Sequence, residues 1–163
     1  MFPLGTSDFT VLLKWKMTFK QVGNSLIIGL ISGAILGLFL KWMQAITEIK
    51  VYTLLLNVDF IPIFASKTLP EWLEFMFHLS ISCVIGMVFV YIMVKWNLSG
   101  KAAYTLSLML TLPTVFLYFP LSYLAIKDVP GIFNGTAILI WIAGHVLYAL
   151  SLPLLYKSVT GVK

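Results

Sequence analysis

Two histidines have the widest chemical reach in this 163-residue chain: His78 and His145, each set inside a long apolar run. An imidazole can pass a proton, ligate a metal or accept a hydrogen bond. Glu74 stands four residues before His78, and Ser82 and Gly86 follow at the same interval. Positions four apart share a helix face, so Glu74, His78, Ser82 and Gly86 form one stripe. A carboxylate and an imidazole one turn apart could bind a metal or relay a proton. The competing reading leaves Glu74 at the membrane interface and gives His78 one interhelical hydrogen bond. Two ligands do not complete a metal shell, so no metal is assigned. A histidine pair also admits bis-histidine haem ligation, but nothing else resembles a haem pocket, and no cofactor is assigned.

Other catalytic patterns are missing. The sequence has no Ser–His–Asp set, no H-E-x-x-H and no Gly-rich phosphate loop, so catalysis is not expected. No acid falls at mid-span, which disfavours a carboxylate-driven proton or sodium carrier.

The elements that must hold these groups follow from composition. The chain is 60% hydrophobic and 10% charged, against roughly 25% charged in soluble domains. Its mean hydropathy is +0.99. So short a chain has too little interior to hide that much apolar surface from water. A soluble enzyme, a nucleic-acid-binding domain and a disulfide scaffold are excluded, and the bilayer is the expected solvent. The single cysteine, Cys83, rules out an intrachain disulfide and reads as a small buried hydrophobe.

Four apolar runs, at about 22–43, 71–96, 102–126 and 134–156, reach the ~20 residues needed to span. Four strands cannot close a barrel, so the expected fold is all-α, a bundle of four transmembrane helices. The organisation reads as an amphipathic segment over 1–20, a transmembrane domain over 21–157 and a tail over 158–163. The first segment sets Phe9, Leu12, Leu13, Trp15 and Phe19 among Lys14, Lys16 and Lys20, and is expected to lie on the inner leaflet. The loop over 44–70 is expected on the outer interface, with Pro62 breaking any helix there.

Lysine placement orients the bundle. The net charge of +5 comes from eleven lysines, no arginine and six acids. With the N-terminus inside, seven lysines are cytoplasmic and four external, while five of the six acids are external. This predicts both termini in the cytoplasm. Trp42, Trp72, Trp96 and Tyr156 near the span ends read as an aromatic belt.

Small residues mark where helices approach. Ser25, Gly29, Gly33 and Gly37 recur every fourth position in the first span, a groove for another backbone. Gly86 and Gly144 permit close approach beside the histidines. Thr68 and Glu71 read as a capping box around Pro70, and Asn134 as the cap of the last span. Pro113 and Pro120 predict a kink in the third span, with Ser and Thr hydroxyls taking up freed carbonyls. Counted depths place His78 and His145 within about one turn, ~5.4 Å, along the membrane normal. Both rings are expected to face the bundle interior.

Three stretches carry a family resemblance. Gly29-Leu30-Ile31-Ser32-Gly33 with Lys41-Trp42, Phe77-His78-Leu79-Ser80-Ile81-Ser82 running to Gly86, and Gly144-His145-Val146-Leu147-Tyr148 resemble the first, second and last spans of the YagU-like bacterial inner-membrane proteins. The resemblance covers about residues 24–157 and implies a bacterial cytoplasmic membrane location. It makes His78, Ser82, Gly144 and His145 the motif positions and supplies no reaction. The leading functional expectation is a structural or accessory membrane protein. The alternatives are a small oligomeric transporter or proton-linked permease using His78 and His145, and an intramembrane metal or haem protein. The lipid bilayer is the implied partner, with a second copy or another membrane protein beside it; nucleic acid is not.

Overall fold

A chain end facing lipid must satisfy its own backbone groups, and the first helix does so at both ends. Thr18 and Gln21 form a capping box: Thr18 Oγ1 accepts from Gln21 N–H at 3.3 Å, and Gln21 Oε1 accepts from Thr18 N–H at 2.8 Å. The other end stops at Glu48, left-handed at φ 60°, whose N–H donates to Gln44 O. Helix α1 therefore runs Phe19–Thr47, longer than the expected span at both ends. At 29 residues and ~1.5 Å each it overreaches a ~30 Å hydrocarbon layer. Phe19 and Lys20 are the first two residues of this helix.

The computed structural model describes residues 17–61, 63 and 69–161. The amphipathic stretch expected before residue 17, Thr68 and the Pro62 helix break lie outside these residues. After α1 come α2 (Val51–Leu55), α3 (Glu71–Lys95), α4 (Lys101–Phe116), α5 (Tyr118–Leu124) and α6 (Gly135–Thr160). Four helices are long and apolar enough to cross a membrane: α1, α3, α4 with α5 over Lys101–Leu124, and α6. An even number of crossings returns the chain to its starting side. The ends of the described chain thus share a terminal face, and the connections after α1 and α5 lie at the opposite, loop face.

Helix α1 is central, packing on α3 and α6, while α6 also packs on α4. Helices α3 and α4 touch only sparingly. The small-residue groove lies at the α1–α3 crossing. A Cβ on Gly29 would stand 2.7 Å from Cys83 Cα and Ser82 O, and one on Gly86 would stand 2.7 Å from Ser25 O. Gly33 faces the Ser82 side chain and Gly37 the Phe75 ring. Gly144 makes the second approach, where α6 meets Leu36, Phe39 and Leu40 of α1. Cys83 sits at the first crossing, half-buried rather than enclosed.

Several expected details change. Helix α3 begins at Glu71 with Pro70 as N-cap and no side-chain cap bond. Glu71 serves instead as an anchor, accepting from Lys41 Nζ at 2.6 Å and from the Tyr52 hydroxyl at 3.0 Å. The segment after α1 is tucked into the bundle, with Val51, Leu54 and Leu56 buried. Gln44 holds it: its Oε1 accepts from the Tyr52 and Thr53 N–H groups at 3.0 Å, which satisfies orphan donors at the start of α2. Trp42, Trp72 and Trp96 are exposed near helix ends, but Tyr156 is buried and meets Phe89 edge-on at 6.0 Å. The third span breaks at Leu117, between its two prolines. Asn134 caps α6, accepting from Ala137 N–H at 3.0 Å.

Candidate functional site

The break in the third span and the sparse α3–α4 contact leave room beside α6. A cavity of about 410 Å³ lies there, walled by α3, α4–α5 and α6, floored by Leu36 of α1 and covered by residues 55–58. His78, Ser82, Glu74 and His145 all border it. Toward the terminal face, Ile28, Phe89, Val90 and Leu152 fill the interior, each no more than 1% exposed.

The cavity also opens sideways. Ile81 and Leu117 line it and yet are 59% and 46% exposed on the bundle surface. Ile81 stands ten residues into α3, ~15 Å below its start, which is hydrocarbon depth. In a bundle that spans a membrane, this places the gap between α3 and α4–α5 at the depth of the acyl chains.

Each histidine is fixed through one nitrogen. His78 Nε2 lies 3.0 Å from Gly33 O, and His145 Nδ1 lies 2.8 Å from Trp141 O. A carbonyl only accepts, so these nitrogens carry the protons. A charged ring without a carboxylate partner is costly at membrane depth, so both rings are neutral and the tautomers are set. The second nitrogens, His78 Nδ1 and His145 Nε2, have no hydrogen-bond partner among the described residues. The close approach at Gly33 delivers its carbonyl to His78. Trp141 lies against His145, with ring centroids 4.5 Å apart and planes tilted by 39°, and its Nε1 donates to Val115 O at 3.1 Å, within the proline-broken span.

Ser82 ties three helices together. Its hydroxyl donates to Gly29 O at 2.6 Å and lies 3.1 Å from the Tyr148 hydroxyl. The single Ser82 proton is committed to Gly29, so Tyr148 is the donor to Ser82. No direct bond joins the two histidines; they share the cavity wall.

Glu74 does not pair with His78. It lies at the mouth, buried, and forms an ion pair with Lys127, which follows α5. Asp59 Oδ2 accepts from the Ile126 and Lys127 N–H groups at 3.0 and 2.6 Å and so holds that lysine in place. Asn57 Oδ1 accepts from Asp59 N–H at 3.1 Å, while its Nδ2 is buried without a partner. Lys50 and Asp128 pair at 2.5 Å across the same face. Lys127 and Asn57 were invisible as site residues because their partners lie far along the chain or in a connection with no pattern. Among the described residues, no three His, Cys, Asp or Glu side chains gather to hold a metal ion.

No protein family, curated protein or solved structure matches this chain.

Proposed function

We propose that this multi-pass membrane protein is a non-catalytic accessory protein that receives an apolar molecule from the bilayer into the cavity between α3 and α4–α5. The observation that carries this reading is the sideways opening at Ile81 and Leu117, at hydrocarbon depth. Mostly apolar walls with a few convergent polar groups are the usual form of a small-molecule site. The buried interior on the terminal side favours binding over a through-path, which makes the histidine-based permease the second reading. The YagU-like resemblance supports the same site, since His78, Ser82 and His145 of its motifs border the cavity.

Placement in a bacterial cytoplasmic membrane with both termini in the cytoplasm belongs to this proposal. Its support is the charge distribution. At the loop face Lys41, Lys50 and Lys127 are paired with acids, whereas Lys20, Lys95, Lys101 and Lys157 of the terminal face have no acid partner among the described residues. The excess positive charge thus marks the inside, and the cavity belongs to the outer half.

Native mass spectrometry of the full chain released from mild detergent tests the binding reading. One retained lipid per chain is expected, and it should be lost in Leu121→Trp, which fills the cavity. Retention by that variant equal to wild type would place the lipid elsewhere and overturn the reading.

A further inference from the structure

Which molecule the cavity takes is decided by the hydrogen-bonding capacity its wall still has. The deep donors are all spent on the protein. His78 Nε2–H goes to Gly33 O and His145 Nδ1–H to Trp141 O. The Ser82 hydroxyl goes to Gly29 O, and the Tyr148 hydroxyl to Ser82. Thr114 Oγ1 donates to Thr111 O at 2.6 Å, and Trp141 Nε1 to Val115 O. What remains at this depth is acceptors: His78 Nδ1, His145 Nε2 and the lone pairs of Thr114. Neither free imidazole nitrogen is among the fully occluded polar atoms without a partner, so both reach open space, and for His145, 3% exposed, that space is the cavity.

An acceptor-only wall selects a donor. We infer that the ligand is an uncharged lipid bearing a hydroxyl group, which donates its one proton to His145 Nε2 while its chain lies along the apolar wall and out through the gap at Ile81 and Leu117. This rests on the cavity-binding reading above. A keto or ether lipid offers only acceptors and would face the histidine lone pairs unpaired. A cationic amine would need a carboxylate, and the one bordering the cavity, Glu74, is already paired with Lys127. A phosphate would need donors at this depth. Asn57 Nδ2, at the mouth, also lacks a partner among the described residues, but it is fully occluded and offers the cavity no donor. The shared chemistry is the hydroxyl; it can come from an aliphatic or isoprenoid alcohol or from a phenolic lipid, for which the tilted Trp141–His145 pair supplies aromatic surface.

The test uses the full chain in phosphatidylcholine nanodiscs, which avoid the hydroxyl-rich head of a sugar detergent. Hexadecanol, farnesol and a 4-alkylphenol are titrated beside their methyl ethers, with tryptophan emission as readout. Each alcohol is expected to saturate the protein, and its ether to bind about five- to tenfold more weakly, the effect of one lost hydrogen bond. In His145→Phe that ratio should fall toward one while ether binding persists, which also reports an intact fold. If the His145 variant fails to fold, the alcohol-to-ether ratio of the wild type decides. Stronger binding by the phenol or by the aliphatic alcohols identifies the source of the hydroxyl. Equal binding of alcohol and ether to wild type overturns the donor proposal and leaves the cavity reading standing; binding of neither overturns both. An unchanged ratio in His145→Phe also sinks the proposal.

Discussion

Adding one methyl group at the α1–α3 crossing should be felt far more than its size suggests. Gly86→Ala would set a Cβ 2.7 Å from Ser25 O and 2.8 Å from Gly29 Cα. Carbon atoms attract best at about 3.5–4.0 Å, so the two backbones must separate by roughly 1 Å. Neither neighbour is a side chain that can swing away. Overpacking of this kind costs about 1–3 kcal/mol, and separation also weakens the Ser82–Gly29 and His78–Gly33 bonds. Gly29→Ala meets backbone in the same way, whereas Gly37→Ala meets the movable Phe75 ring and Gly23→Ala meets nothing within 4 Å. Gly33→Leu is worse, because it drives a branched chain into Ser82. Reversible unfolding of the four alanine variants in mixed micelles should rank Gly86 and Gly29 well below Gly37, with Gly23 at or above wild type. Equal stability of Gly86→Ala and Gly23→Ala would refute the close crossing.

Breaking the ion pair at the cavity mouth should also be costly. Lys127→Met leaves the buried Glu74 uncompensated, at about 3 kcal/mol, the low end for buried pairs because Lys127 keeps a third of its surface. A double-mutant cycle with Glu74→Gln should recover part of that loss, and strict additivity would mean the two groups do not interact. Reporter fusions at residue 161 should behave as cytoplasmic and those at residue 128 as external; the reverse would invert the bundle. Tyr52 is buried and bonded to Glu71, and burial first, then that carboxylate, pushes its phenol above the ordinary value. The folded protein keeps this proton where the unfolded chain releases it, so stability is full below about pH 10 and falls above it. Tyr52→Phe should flatten that alkaline decline, and an identical profile in both proteins would show the phenol is exposed.

The four spans were readable because lipid forces apolar runs of spanning length into helices. So was the glycine face, since period four on a helix has one geometric meaning. The sequence could place His78 and His145 at similar depth, but not the carbonyls that fix them, because Gly33 O and Trp141 O depend on how helices rotate. The connection after α1 misled for a related reason. Its apolar residues looked suited to an interface, yet Gln44 gives its first N–H groups partners, and this lets Val51 and Leu54 enter the core. Glu74 was read with its helical neighbour, although its partner Lys127 lies 53 residues away. Side-chain pairing across distant segments leaves no periodic trace in one sequence.

Photolabelling from within the bilayer tests lipid entry most directly. A lipid carrying a diazirine in its chain is mixed into membranes holding the full protein, activated, and its attachment sites are mapped. Leu139, Ile142 and Leu154 of α6 face outward and will be labelled in any bundle, while Trp141, His145 and Tyr148 are each no more than 3% exposed and border the cavity. Label on those three residues, reduced in Leu121→Trp, is the expected result. Label confined to the outward face of α6 would mean that no lipid enters the cavity.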